Sequence, residues 1–439
     1  MVNHGTIAAI STALGHSGIA VIRISGPDAV NVARKILKRQ ALDEPSRMYL
    51  TSLLDSDGRV VDRVLAVRFA KPKSYTGEDV VEIHTHGGVL AAKTCLELAI
   101  KNGAKLADPG EFTRRAFVNG RIDLSQAEGV LGVIQARSSE ALHAAARTLT
   151  GELSRKAHRI HDEILRLQGN LEVQLDFPEG ESANFDTASG LDGVISELES
   201  LISQCSAGLI LREGVRVVIA GRPNAGKSSL MNALLGKNRA IVTDIPGTTR
   251  DIIEESIIID GIPVRLTDTA GLRESEDVIE AEGVRLALEA VSEGDICLYV
   301  IDSSAGLQEE DREFLRGLSG RKAIAVMNKS DLCAKAVDVP MEKVSVSAKT
   351  GEGLDGLKAK IHALASGEAV LSSGLNVSAR QLGDLRECLE AVSDARNAPD
   401  EDITAGLLNS ARLSVLRVLG LDAGDELLDS IFSRFCVGK

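Results

Sequence analysis

The stretch Gly221-Arg222-Pro223-Asn224-Ala225-Gly226-Lys227-Ser228 constrains this chain more than any other. It follows an apolar run, Val215 to Ala220, that reads as a buried strand, and it opens onto a helix-like segment, Ser229 to Leu235. A Gly-rich turn between strand and helix points backbone N–H groups and the positive end of a helix dipole at a phosphate. Asn224, Ala225, Gly226, Lys227, Ser228 and Ser229 are the expected phosphate contacts, with Lys227 reaching the terminal phosphates and the Ser228 hydroxyl ligating Mg²⁺. Alone, the pattern would fit any Gly-rich turn in an α/β sheet.

Three further motifs lie downstream, each after an apolar strand. Asp268-Thr269-Ala270-Gly271 follows Val264 to Leu266, so a carboxylate falls at a strand's C-terminal end, where open α/β sheets bind ligands. Asn328-Lys329-Ser330-Asp331 ends the strand Ala323 to Met327, and an Asp carboxylate there can accept both N–H donors of a guanine edge, which adenine does not offer. Ser347-Ala348-Lys349 ends another strand and can back the base with a main-chain N–H. Four motifs in this order predict a guanine-nucleotide-binding domain using GTP, GDP and Mg²⁺.

Between the first helix of that domain and the hairpin Ile252 to Thr267 lies Asn238 to Asp251, in the position of a first switch. Thr249 is the expected second Mg²⁺ ligand, and the loop suits a segment that orders on triphosphate binding. After Gly271 comes Leu272, whose alkyl side chain cannot orient a water as a Gln would. Glu280 is the candidate replacement, although Glu274, Glu276 and Glu282 make its surroundings an ordinary acidic surface stretch.

The other 439-residue-scale features set limits. A net charge of −13 argues against a chain that coats nucleic acid non-specifically, without excluding a local basic patch. No apolar run approaches the roughly 20 residues of a bilayer span and no signal-peptide layout opens the chain, so a cytoplasmic, membrane-free protein is expected. Six scattered cysteines without paired spacing read as reduced packing residues.

Residues 1 to about 118 read as mixed α/β. Arg23 and Glu82 each interrupt an apolar strand, and on pattern alone both are solvent-facing alternates. His84 and His86 share a strand face, but no third ligand of suitable spacing accompanies them. Long helical runs follow: Ala127 to Leu149, Leu153 to Leu175, Leu191 to Leu211, then Leu382 to Ala391, Leu407 to Leu419 and Glu426 to Phe435. The expected fold class is multidomain α/β plus α, a helical bundle domain carrying an inserted Ras-like P-loop GTPase domain. The expected boundaries are 1–118, 119–213, 214–367 and 368–439, with the third as the insert.

Beyond the nucleotide motifs the chain carries Arg23-Ile24-Ser25-Gly26, Tyr75-Thr76-Gly77-Glu78-Asp79, His86-Gly87-Gly88, Pro109-Gly110-Glu111-Phe112-Thr113, Asn119-Gly120-Arg121-Ile122-Asp123-Leu124, Asp176-Phe177-Pro178 and Phe435-Cys436-Val437-Gly438-Lys439. With Gly247-Thr248-Thr249-Arg250-Asp251 and Asp268 to Arg273, these make it resemble, over essentially its whole length, the MnmE (TrmE) family of tRNA uridine-5-carboxymethylaminomethyl modification GTPases.

The resemblance implies a homodimer working with an FAD-containing protein of the MnmG (GidA) type, in a heterotetramer-like complex that modifies C5 of the wobble uridine in certain tRNAs. The carbon would come from 5-formyltetrahydrofolate or a related methylene-folate in an N-terminal folate-binding domain that also dimerises. Matching positions put Arg23, Glu82, Arg121 and Lys439 at that folate and so turn Arg23 and Glu82 from surface residues into ligands. Arg121 stands where the family often has Lys, keeping the charge but changing the hydrogen-bond fork. The resemblance also implies K⁺-stimulated hydrolysis, with K⁺ held by Asn224, Thr243, Ile245 and Thr248. It further places Asp244, Pro246 and Gly247 at the nucleotide and makes Glu280 the group that positions water, with Lys227 as its catalytic companion. Cys436 matches a family position and reads either as a working thiol or as a small buried hydrophobe in the last helix. The competing readings are a ribosome-assembly GTPase, which shares the switch loop and the missing Gln, and a scaffold that merely binds GTP.

Overall fold

The structure is a computed structural model, and it describes residues 5–38, 42–176, 186–236, 254–268, 294–332, 339, 341–367, 370–422 and 424–439. The chain divides into two compact units, Met1–Leu131 with Leu413–Lys439, and Gly132–Arg412.

The first unit is built on six strands: β1 (Ile7–Ile10), β2 (Ser17–Ser25), β3 (Met48–Leu54), β4 (Val60–Phe69), β5 (Val80–Gly87) and β6 (Lys105–Leu106). Their order is β3-β4-β5-β2-β1-β6, antiparallel except for β1 with β6. Strand alternation sorts the side chains. Ala20, Ile22 and Ile24 of β2, with Val81 and Ile83 of β5, pack beneath the helices Ala29–Ile36 and Val89–Lys101. The opposite face carries Arg23 and Glu82, with Ile7, Ala9, Ala107, Phe112 and Tyr75 forming a smaller core. β3 falls within the stretch read only as mixed α/β. Its exposed Met48 and Leu50 make it look less like a half-buried strand than its pairing with β4 shows it to be.

The expected run Ala127 to Leu149 is two helices, Leu124–Gln135 and, in the second unit, Ser139–Leu149. The break is set by Ser138, whose hydroxyl accepts the Ala141 N–H and caps the second helix. The helices Glu152–Asp176, Thr187–Glu213 and Ala379–Arg396 pack together. Among the described residues, Thr187–Glu213 alone is long and apolar enough to cross a membrane by length and composition, with mean hydropathy 1.3 over its best window. The expected helix Leu191 to Leu211 lies within it, and Gly, Ser and Glu interrupt its apolar residues, so no continuous apolar run forms. Leu191, Val194, Leu198, Leu201, Cys205 and Leu211 of that helix are buried inside the protein.

The second sheet comprises β7 (Val215–Gly221), β8 (Glu254–Ile259), β9 (Ile262–Asp268), β10 (Ile296–Asp302), β11 (Ala323–Asn328) and β12 (Lys343–Ser345). Its order is β12-β11-β10-β7-β9-β8, parallel except for the β8–β9 hairpin. That hairpin turns at Asp260-Gly261, both at positive φ (44° and 87°), as the turn dipeptide predicts. The helices Lys227–Leu235 and Leu354–Ser366 cover one face and Glu309–Gly317 the other, giving the expected doubly wound, Ras-like arrangement. Of the six cysteines, Cys95, Cys205, Cys297 and Cys388 are free and buried. Burial pushes the thiols of the first three up to about 12, so they behave as packing groups.

Candidate functional site

Parallel strands aligned by register end together. β7, β9, β10 and β11 stop at Gly221, Asp268, Asp302 and Asn328 along one edge of the second sheet. At the first of these ends Gly226 adopts φ +95° and caps the helix that begins at Lys227. A Cβ on Gly226 would stand 2.2 Å from Asn328 Nδ2, so only glycine lets the two loops meet.

The contacts at this edge tie the sequence motifs together. Lys227 Nζ donates to the carbonyls of Gly221 and Arg222, each at 2.9 Å, which holds the ammonium across the start of the loop. Ser228 Oγ donates to Asp268 Oδ2 at 2.9 Å. A hydroxyl and a carboxylate oxygen side by side are the hard donors that Mg²⁺ takes, so this pair fits the ion. Asn328, 2% exposed, donates from Nδ2 to the Ala225 carbonyl at 3.0 Å and accepts the Ala348 N–H at Oδ1, 3.1 Å. Lys329 Nζ reaches the Asn224 carbonyl at 2.9 Å. Ser347 Oγ donates to Asp331 Oδ1 at 2.7 Å, orienting the carboxylate expected to read the base. The Ser330 N–H is spent on the Val346 carbonyl at 3.1 Å, while Lys349 and Ser229 are exposed at the same edge. Thr243, Asp244, Ile245, Pro246, Gly247, Thr248, Thr249, Thr269, Ala270, Gly271 and Glu280 lie outside the described residues.

A second constellation sits on the first unit's sheet. Arg23 and Glu82 are register partners on β2 and β5, and the guanidinium holds Glu82 Oε1 at 2.9 Å from both Nε and Nη2. Their side chains are only 17% and 18% exposed, so the solvent-facing reading taken from alternation is corrected. The face they occupy is roofed by Tyr75 and Phe112, whose ring centroids each lie 5.6 Å from the guanidinium carbon. His84 Nε2 stands 3.6 Å from Glu82 Oε2, and His86 Nδ1 is 2.7 Å from Asp62 Oδ1. Burial would raise the Asp62 carboxyl, but the His86 N–H and ring outweigh it and hold Asp62 below its usual range.

The chain's end closes on this site. Gly438 carbonyl accepts Ser11 Oγ at 3.0 Å and lies 3.5 Å from Arg23 Nη1, and the Phe112 N–H donates to the Lys439 carbonyl at 3.2 Å. Lys439 therefore reaches the neighbourhood of Arg23. Arg121 is exposed and flanks the other side of the Tyr75-containing loop, with its Cγ 3.2 Å from where a Gly77 Cβ would stand. The last helix ends at Phe432, short of the expected Phe435, and Cys436 is exposed beyond it. This corrects the buried-hydrophobe reading of Cys436.

Sequence reasoning missed Arg115. It is 1% exposed, and its Nη1 reaches Glu78 Oε1 and Oε2 at 3.2 and 3.1 Å while Nη2 reaches Glu111 Oε1 at 2.7 Å. The available signal was an Arg four residues after Glu111 in a segment that forms the helix Glu111–Val118.

The profile of the GTP-binding protein TrmE N-terminus matches residues 6–121, and that of the MnmE helical domain matches residues 124–436. The tRNA modification GTPase MnmE of Carboxydothermus hydrogenoformans is 43% identical over 99% of each chain, and that of Symbiobacterium thermophilum is 44% identical over 99% of each. Among solved structures, the G domain of the FeoB iron transporter of T. maritima is 32% identical, covering 34% of this chain and 98% of that one at a TM-score of 0.27. Two profiles spanning nearly the whole sequence, and relatives aligned from end to end, establish that the chain belongs to the MnmE (TrmE) family of tRNA modification GTPases.

Proposed function

We propose that this protein is a K⁺-stimulated GTPase, activated when its nucleotide domains pair in a homodimer. With an FAD-containing partner of the MnmG type, it installs the (carboxymethyl)aminomethyl group at C5 of wobble uridine in certain tRNAs. Family membership supplies the coarser statement, a GTP hydrolase in tRNA modification that uses nucleotide and Mg²⁺. The finer one draws on the two constellations above. A ribosome-assembly GTPase, the alternative reading of the same switch sequence, does not account for an end-to-end relationship to tRNA modification GTPases.

In this reading Lys227 and the N-terminus of its helix bind the terminal phosphates, and Ser228 with Thr249 holds Mg²⁺, which would offset charge on the phosphates. Asn224, Thr243, Ile245 and Thr248 provide oxygens for K⁺, and Glu280 positions the attacking water that Leu272 cannot. Asp331, steadied by Ser347, accepts the guanine N–H pair. At the first unit's sheet, the Arg23–Glu82 pair under Tyr75 and Phe112 offers an aromatic wall, a cation and a carboxylate, a donor set that suits a flat heterocycle with a carboxylated tail. Arg121 and Lys439 flank that folate, which supplies a one-carbon unit when bound. The domains run 1–118, 119–213, 214–367 and 368–439, and the protein works in the cytoplasm.

The observation that carries the proposal is the presence of both constellations in one chain, with the chain's own C-terminus bound to the second. The test is nucleoside analysis of wobble uridine in cells lacking the chain and in cells complemented with it or with Glu280→Ala. Each protein is also assayed for GTP turnover in K⁺ and in Na⁺. The expected result is loss of the modified nucleoside, rescue by the unaltered chain alone, and turnover favouring K⁺ that Glu280→Ala abolishes without loss of nucleotide affinity. Normal modification in the deletion strain, or equal turnover in the two salts, would overturn the proposal.

A further inference from the structure

Asp302 ends β10 beside Asn328 of β11, at the edge where the nucleotide motifs meet, yet it belongs to none of them. Both of its carboxylate oxygens are engaged. Oδ1 accepts the Ser304 N–H at 2.9 Å and the Ser304 hydroxyl at 2.6 Å, and Oδ2 accepts Lys329 Nζ at 2.6 Å. The same ammonium donates to the Asn224 carbonyl in the phosphate loop at 2.9 Å. Ser304, Asp302, Lys329 and Asn224 thus form one chain of hydrogen bonds from a strand end to the loop that faces the phosphates.

We propose that Asp302 is a positioning residue for guanine-nucleotide binding, fixing Lys329 so that the base-side motif and the phosphate loop at Asn224 are held at one spacing. The inference rests on the GTPase reading and adds to it a residue outside the four motifs. Two backbone observations show why an anchor is needed. Lys329 (φ +63°) and Asn224 (φ +61°) both occupy the left-handed region, where non-glycine residues need support from their surroundings. The Lys329–Asp302 pair and the Lys329–Asn224 bond join these two positions directly. An isolated surface ion pair contributes little. Here the side chains are 34% and 22% exposed, and the cation is shared with a main-chain carbonyl, so its loss releases a loop as well as a charge. Burial alone would raise the Asp302 carboxyl, but hydrogen bonds from Lys329 and Ser304 bring it down to about 2, which keeps it ionised throughout the range in which the protein works.

The test uses the full chain with Asp302→Asn, Lys329→Ala, the double variant and Asp302→Glu. Asn keeps an oxygen for Ser304 but removes the charge that Lys329 faces. Charge-assisted hydrogen bonds of this kind set the expected scale, about tenfold in affinity. Asp302→Asn therefore raises the Kd for mant-GDP and the KM for GTP about tenfold, with kcat changed much less. In the Lys329→Ala background the Asp302 change adds less than about twofold, because the residue through which it acts is gone. Asp302→Glu, which retains a carboxylate, recovers most of the lost affinity. An unchanged Kd in Asp302→Asn, an equal loss with and without Lys329, or a fall in unfolding midpoint without a fall in affinity overturns the inference. A chain that binds no mant-GDP before any substitution refutes the GTPase reading and this inference together.

Discussion

Replacing Arg115 by Met tests whether the loop that carries Tyr75 is held by charge or by shape. The guanidinium is 1% exposed and is surrounded by Glu78, Glu111 and the Gly5 carbonyl, the last 2.8 Å from Nη1. Glu78 also accepts from Ser25 Oγ at 2.7 Å, and Ser25 Oγ lies 2.8 Å from Thr76 Oγ1, so the network runs into the loop that carries Tyr75. Met keeps much of the aliphatic volume and removes the guanidinium that, among the described residues, pairs with both carboxylates. Removing one member of a buried ion pair costs about 3–5 kcal/mol, since the remaining charge is left uncompensated. Glu78 and Glu111 are 20% and 16% exposed, so water reaches them in part and the lower end, about 3 kcal/mol, applies. For a unit of this size that loss lowers the unfolding midpoint by about 6–12 °C. Calorimetry of the full chain reads the shift, and hydrogen exchange across 74–79 reports whether the loop loosens with it. A triple variant, Arg115→Met with Glu78→Gln and Glu111→Gln, removes the stranded charges and recovers more than half of the loss. A single variant within about 1 kcal/mol of the parent chain refutes the electrostatic argument. A triple variant no more stable than the single one assigns the cost to packing instead.

The second unit offers two further tests. Arg147 holds Glu152 through two bonds, 2.7 and 2.6 Å, and these, with Lys156, outweigh burial and lower the Glu152 carboxyl to about 2. A depressed folded-state value means the stabilisation is complete above the ordinary value of 4.5 and is lost as pH falls toward 2. Urea titrations between pH 5 and pH 2 therefore show a loss on the order of 2 kcal/mol that Glu152→Gln removes, and identical slopes for the two proteins would count against it. Gly208 lies within the helix Thr187–Glu213, where a Cβ would stand 1.7 Å from the Leu375 carbonyl oxygen, whereas a Cβ on Gly193 of the same helix meets nothing within 4 Å. Gly208→Ala should cost about 3 kcal/mol through backbone displacement, while Gly193→Ala is neutral or gains about 0.5–1 kcal/mol from helix propensity. Equal midpoints for the two variants would refute the close-approach reading.

The nucleotide edge was legible in the sequence because each of its motifs is local. A strand, a turn and the first residues of a helix are contiguous, so spacing alone placed Lys227 and Ser228 at the start of a helix and Asp268 and Asn328 at strand ends. The bonds that join them cross from one motif to another and could not be read that way. Asn328 to Ala225 and Lys329 to Asp302 are pairs that only the sheet order brings together. The Arg23–Glu82 pair shows the same limit more sharply. Alternation correctly put both residues on the face opposite the main core, but it said nothing of Tyr75, Phe112 or the last two residues, which cover that face. The buried Arg115 is the extreme case. An Arg in a short amphipathic segment reads as surface, and only the convergence of Glu78 and Glu111 makes burial tolerable.

The return of the C-terminus to the first sheet explains how a long excursion can sit inside this chain. Pro109 and Val437 bridge as a short antiparallel pair, and the Gly110 N–H lies 3.4 Å from the Cys436 carbonyl. Ser125 Oγ donates to the Val418 carbonyl at 3.0 Å within the same unit. Residues 132–412 thus leave from and return to a unit whose ends are fastened to each other by hydrogen bonds. Such an excursion does not require the flanking segments to find each other through the inserted material, since their own contacts specify the pairing. It also assembles the first unit's site from both sides of the excursion: Gly438 lies beside Arg23, and the Lys439 carbonyl accepts the Phe112 N–H.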